Sequence, residues 1–180
     1  MRDTAADIVA FTRELLGDSS LCNPSNEAIE QALDFYSQDY LQASFYTRPT
    51  LEDGDVVYKH YYAPSFLEGV VLQRSGYQEL VEDSDYILDI YTGKITLTES
   101  EDVLYISCRE HDPHAAAADL LELYIQQNAQ EFVSLKSGRL SISNSDVGAR
   151  IRDKISALRE RSKHGSEGYI GSFYRDDYLP

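Results

Sequence analysis

The clearest pattern of apolar and polar positions lies between Ser84 and Gln127, SDYILDIYTGKITLTESEDVLYISCREHDPHAAAADLLELYIQQ. From Asp85 to Tyr91, Tyr86, Leu88 and Ile90 alternate with Asp85, Asp89 and Tyr91, the two-residue period of a half-buried strand, and Ile87 alone breaks it. A two-residue hairpin loop at Thr92-Gly93 would set Ile90 opposite Ile95 and Leu88 opposite Leu97. The other face then carries Asp89, Tyr91, Lys94, Thr96 and Thr98. After the acidic turn Glu99-Ser100-Glu101-Asp102, a third strand from Val103 to Ser107 brings Leu104 and Ile106 to the aliphatic face, which makes a meander. Asp112-Pro113 then starts a helix of about 14 residues, because Asp caps free N–H groups and proline is preset for a first turn. Its stripe of Ala117, Leu120, Leu121 and Tyr124 needs an apolar surface to cover, and the meander is the nearest.

The same reasoning gives two N-terminal helices. One runs from Thr4 to Leu16, with Ile8, Phe11, Leu15 and Leu16 on one side and Gly17 as its stop. The other starts near Pro24 or Ser25, with a stripe of Ile29, Leu33, Tyr36 and Tyr40. Between Ser44 and Leu80 the runs SFYTR, DVVYKHYY and FLEGVVLQR read as strands separated by turns. EFVSLKSGRLSIS reads as a short hairpin around Ser137-Gly138, and Asn144 or Ser145 caps a helix whose stripe is Val147, Ile151, Ile155 and Leu158. Arg150, Arg152, Lys154, Arg159 and Arg161 make that helix basic. The expected fold is α+β: an antiparallel sheet of about five or six strands, two N-terminal helices, a helix after the central meander and a basic C-terminal helix. One domain is expected over residues 1–164, followed by a Tyr/Gly-rich tail, 165–180, docked through Tyr169, Ile170, Phe173 and Tyr174.

Charge changes the picture because it is uneven. Residues 1–135 hold 25 acidic and 7 basic side chains, whereas 136–164 hold 8 basic and 3 acidic, within a total of −15. Phosphate binding needs Lys and Arg to replace counterions, so the acidic bulk argues against nucleic acid as a direct partner and for a basic protein. No apolar run reaches the roughly 18 residues of a membrane span, and the acidic N-terminal helix has no signal-peptide core, so a cytoplasmic protein is expected. Two cysteines, Cys22 and Cys108, are too few for a disulfide framework.

Candidate chemistry is thin. Cys108, His111 and His114 could supply three zinc donors or a thiol with a histidine base. A structural zinc site wants four ligands, however, and Cys108 falls on the core-facing alternation among carboxylates that would raise its pKa. Phosphate-loop, dinucleotide, nucleophile-elbow and zinc-protease motifs are all absent. The carboxylate pairs Glu82/Asp83, Glu101/Asp102 and Asp176/Asp177 read as wet turns. No enzyme, cofactor or metal is expected.

Fourteen tyrosines without a tryptophan exceed what solubility explains, and tyrosine is favoured in protein contacts. The stretch YILDIYTGKITLTESEDVLYISCREHDPHAAAADLLELYI resembles the C-terminal part of SUKH-superfamily immunity proteins, where an Asp-x-x-Thr-Gly-like turn after a strand leads to further strands and a closing helix. The resemblance implies an α+β module that neutralises a bacterial toxin, frequently a nuclease; it assigns no binding residue. The expected function is therefore a non-enzymatic acidic module that masks a basic toxin, nuclease or nucleic-acid-binding protein, as an immunity protein, inhibitor or anti-defence factor, including by imitation of nucleic acid. Asp85, Asp89, Tyr91, Glu99, Glu101 and Asp102 are the expected contact residues. A secretion-type chaperone dimer is the second reading.

Overall fold

The computed structural model describes residues 5–17, 22–47, 49–52, 54–101, 103–128, 135–137, 140–142 and 145–162. Its elements are α1 (Ala6–Leu16), α2 (Asn26–Phe35), β1 (Ser37–Tyr46), β2 (Thr50–Glu52), β3 (Asp55–Val57), β4 (His60–Tyr62), β5 (Leu67–Arg74), β6 (Tyr86–Asp89), β7 (Lys94–Leu97), β8 (Val103–His111), α3 (Pro113–Gln127), β9 (Leu135–Ser137), β10 (Leu140–Ile142) and α4 (Ser145–Arg161). The fold is α+β with antiparallel pairing throughout the described sheets. The strands are divided, rather than joined in one sheet of five or six. Orders β1-β8-β5 and β4-β7-β6 make two three-stranded sheets, and β2-β3 and β10-β9 make two-stranded ribbons. The chain separates into two compact units, one from Met1–Ile8 and Leu33–His111, the other from Val9–Ala32 and Asp112–Pro180.

In the first unit, Tyr61, Tyr86, Ile95 and Leu97 from the β4-β7-β6 sheet join Leu67, Leu72, Leu104, Ile106 and Cys108 from the β1-β8-β5 sheet in one buried cluster. Alternation decides which side chains enter it. Along β8, Leu104, Ile106 and Cys108 are buried while Val103, Tyr105 and Ser107 are only partly so. On the outward face of β4-β7-β6, His60, Thr96 and Ile87 make one cross-strand row, and Tyr62, Lys94 and Asp89 make the next.

Three sequence expectations change here. First, β6 and β7 pair as Tyr86↔Leu97 and Leu88↔Ile95, two residues from the expected register. A shift of two keeps every side chain on its face, so the aliphatic face survives. The loop is longer because the Asp89 carboxylate accepts from the Tyr91 and Thr92 amides (3.0 and 3.3 Å) and the Thr92 hydroxyl (2.7 Å), which pulls Ile90 and Tyr91 out of the strand. Second, β8 does not complete a meander. The chain leaving β7 is held alongside residues 58–59 instead, by Leu97 N–H to Lys59 O (2.9 Å) and Glu101 N–H to Tyr58 O (3.0 Å). The nine-residue β8 pairs with the long strands β1 and β5 on either side. Third, Tyr36 and Tyr40 do not continue α2. The Ser37 hydroxyl bonds the Asp34 carbonyl (2.8 Å) as the helix ends, and β1 begins.

The free edge of β6 is covered by its own chain. Thr98 N–H reaches Asp85 O (2.9 Å) on the β7 side, so Tyr86 and Ile90 turn their carbonyls the other way, where Asp83 N–H (2.9 Å) and Phe66 N–H (2.6 Å) meet them. A parallel bridge between Glu82 and Tyr86 completes the cover.

In the second unit, the Asp112 carboxylate accepts from the His114 and Ala115 amides (3.1 and 3.0 Å) and so caps α3. Its other oxygen accepts from Ser162 just beyond α4 (2.9 Å). Ala115, Ala116, Ala117, Ala118, Leu120 and Leu121 are buried on α3, and Ile151, Ile155 and Leu158 on α4. The two helices pack together. Arg159 bonds Asp119 (2.9 Å) and Glu122 (3.0 Å), so this arginine of the basic helix finds its counter-charges on α3. Lys154 Nζ donates to the last-turn carbonyl of Leu16 (2.9 Å), a cation at the negative end of α1. The short hairpin expected around Ser137-Gly138 is present as β9-β10, with Gly138 itself outside the described residues. Asp102 and the tail 165–180, with Tyr169, Ile170, Phe173 and Tyr174, also lie outside them. Among the described residues no helix is long and apolar enough to cross a membrane.

Candidate protein-binding surface

The carboxylates expected to meet a partner separate into two groups. At one end of the β6-β7 hairpin, Asp89 is occupied by its turn, and the Thr92 hydroxyl beside it holds its pKa below the usual range, with the Tyr91 and Thr92 amides and Lys94 adding to this. Tyr91 is half exposed and meets Phe66 edge-on at 6.2 Å. Gly93 closes this turn at φ +69, its carbonyl accepting from Ala63 N–H (2.8 Å).

The opposite end gathers Asp85, Glu99 and Glu101 with Arg74, Leu80, Leu97 and Thr98 around a cleft of about 60 Å³. Arg74, at the end of β5, lies 3.3 Å from Glu101 and 3.5 Å from Glu99. Glu101 is the more buried of the two, and its backbone carbonyl accepts the Tyr61 hydroxyl. Asp85 is fixed by the Val81 amide at 2.8 Å. Arg74 therefore meets two of the three carboxylates that line the cleft, which keeps a negative excess.

Beside it runs the 75–85 loop, of which only Asp85 stood among the expected contact residues. Tyr77 and Val81 are both 62% exposed, and Glu79, Glu82 and Asp83 project into solvent with them. Tyr77 stacks on Tyr105 of β8 with ring centres 5.7 Å apart, so its ring is held in place. Burial pushes the Tyr86 hydroxyl up to about 12, and the charges of Glu82 and Asp83 add to it, which places both carboxylates close to β6. A usable signal was present in QELVEDSDY, where apolar Leu80 and Val81 interrupt a run of acids.

Cys108, His111 and His114 do not assemble into a site. Cys108 is buried, and desolvation followed by the charges of Glu110 and Asp39 raises its thiol to about 12, the reverse of what a nucleophile needs. His111 is the last residue of β8, which runs on through Cys108-Arg109-Glu110 beyond the expected end at Ser107. Its ring is buried between the Glu68 carboxylate (Nε2 to Oε2, 2.8 Å) and the Leu33 carbonyl (Nδ1 to O, 3.2 Å). His114 sits in the first turn of α3 with its ring edge-on to Phe11 at 6.0 Å. Among the described residues no three His, Cys, Asp or Glu side chains are arranged to hold a metal.

On the same sheet, Arg109 is taken up by Asp39 (2.7 Å) and Asp34 (3.8 Å), and these charges raise its pKa. Tyr40 donates to Glu110 at 2.8 Å. Thus two of the first unit's arginines, Arg74 and Arg109, are both bound to the protein's own acids, which leaves the loop carboxylates to solvent or a partner. No protein-family model matches the chain, and no curated protein matches it in sequence.

Proposed function

We propose that this protein is a non-enzymatic binding module that masks a basic protein, engaging it through the surface formed by the 75–85 loop and the Asp85, Glu99, Glu101 cleft. The observation that carries this is the mixture found there: exposed Tyr77 and Val81 stand among Glu79, Glu82 and Asp83, next to a cleft with more carboxylates than cations. Apolar and aromatic side chains give a contact its area, and a ring of like charge speeds encounter with an oppositely charged partner. A DNA-binding or nuclease surface has the complementary composition, and the likeness of residues 84–127 to SUKH immunity proteins favours a toxin as the protein masked. Tyr91, about half exposed, offers a smaller second contact at the other hairpin end.

Affinity capture of the natural partner at two ionic strengths tests this. The partner should be a basic protein, its association should slow as salt shortens the Debye length to about 8 Å, and Glu82→Lys/Asp83→Lys should abolish capture. A partner retained equally at high salt and by the charge-reversed variant would refute the reading.

A further inference from the structure

The β2-β3 ribbon takes no part in either three-stranded sheet. Its three residue pairs are Thr50↔Val57, Leu51↔Val56 and Glu52↔Asp55, with Gly54 in the turn at φ +95. Among the described residues no other strand or helix makes more than slight contact with it. Leu51 and Val56, directly opposite one another on one face, are 76% and 57% exposed. Two-stranded ribbons are marginal in water without a covered apolar face, and this one turns its aliphatic pair outward. Exposed Asp55 flanks the pair, and Glu52 and Asp53 neighbour it in sequence.

We propose that this ribbon is an anchoring arm which buries Leu51 and Val56 in an apolar recess rimmed by Lys or Arg on the partner; this rests on the function proposed above and names its hydrophobic anchor. A second copy of this chain is the wrong occupant. It carries −15 overall, and although residues 136–164 hold 8 basic and 3 acidic side chains, Arg159 there is already paired with Asp119 and Glu122, so net repulsion opposes the approach of an acidic arm. Cationic protein surface supplies both requirements, neutralising the acids beside the arm while its apolar recess covers the aliphatic pair. The arm then gives affinity, and the acidic cleft gives speed of encounter.

Two synthetic peptides of equal length and charge, one alternating Lys and Leu and one alternating Lys and Ser, probe this on the full chain. The natural protein should bind the Lys-Leu peptide more tightly, and Leu51→Ser/Val56→Ser should weaken that binding about tenfold or more while leaving the Lys-Ser peptide unchanged. Ile87→Ser, also at an exposed apolar position, should leave the preference intact. Because both arm side chains are exposed, the variant should melt with the natural protein. Equal binding of the two peptides, or a preference that survives in the arm variant, overturns the arm and leaves the acidic surface standing. Binding of neither peptide overturns both. Concentration-dependent self-association that the arm variant loses would assign the arm to a second copy and overturn the proposal.

Discussion

Replacing His111 by alanine should be among the most damaging single changes in the first unit. The ring is 1% exposed and Glu68 8%, so neither exchanges readily with water. Both ring nitrogens face oxygens, at 2.8 and 3.2 Å, and a neutral imidazole has only one N–H to offer. The Leu33 carbonyl can only accept, so Nδ1 donates to it, and a further proton lies between Nε2 and Glu68. Removing the ring takes this donor from a carboxylate that stays buried, a change that costs about 3–5 kcal/mol where a buried ion pair is broken. Arg109 senses the Glu68 charge as well, which points to the lower end, about 3 kcal/mol, or roughly 6–12 °C in melting temperature for a chain of this size. Replacing both partners, His111→Phe with Glu68→Leu, should recover much of the loss, because no buried charge is left behind. The assay is urea unfolding followed by circular dichroism for His111→Ala, for His111→Phe and Glu68→Leu singly and together, and for the natural protein. Single losses that add within about 0.5 kcal/mol in the double variant would show that the two side chains are not coupled and would refute the reasoning.

Three further outcomes follow from the geometry. Gly93→Ala should cost at least about 2 kcal/mol in the same unfolding assay, since its Cβ would overlap the Ala63 carbonyl and lie 2.5 Å from that of Pro64. Gly54→Ala, also at positive φ but with nothing within 4 Å, should cost only about 1–2 kcal/mol. Alkaline stability should fall early: Cys108 and Tyr86 keep their protons in the folded state up to about 12 against ordinary values of 9.0 and 10.0, so their contribution is complete below pH 9 and is lost as pH rises toward 12. Melting temperatures between pH 8 and 12 would check this, and a flat profile would contradict it. Asp112→Ala should cost about 1–2 kcal/mol by uncapping α3, whereas Arg159→Ala, at an exposed pair of contacts, should cost under about 1 kcal/mol, both read from thermal melts.

The chain announces its elements far more clearly than their neighbours. Alternation marks Leu104, Ile106 and Cys108 as buried, and they are, but nothing in a period of two says that β8 pairs with β1 and β5. Ile29 and Leu33 are buried on α2 as the stripe implies, yet Tyr36 and Tyr40 fall on the same spacing by coincidence, which hid the start of β1. The acids of the cleft were nameable from sequence. Their convergence on Arg74 was not, because Arg74 and Glu99 are 25 positions apart and meet only through the β5 and β7 ends. Asp89 looked free for a partner until its turn geometry was known.

The covered rim of β6 has a bearing on how copies behave when crowded. With the Tyr86 and Ile90 carbonyls already engaged, an incoming extended segment finds no continuous ladder to lengthen there. Fibrous stacking through this rim is thereby discouraged, even though the apolar Ile87 side chain stands at the surface beside it.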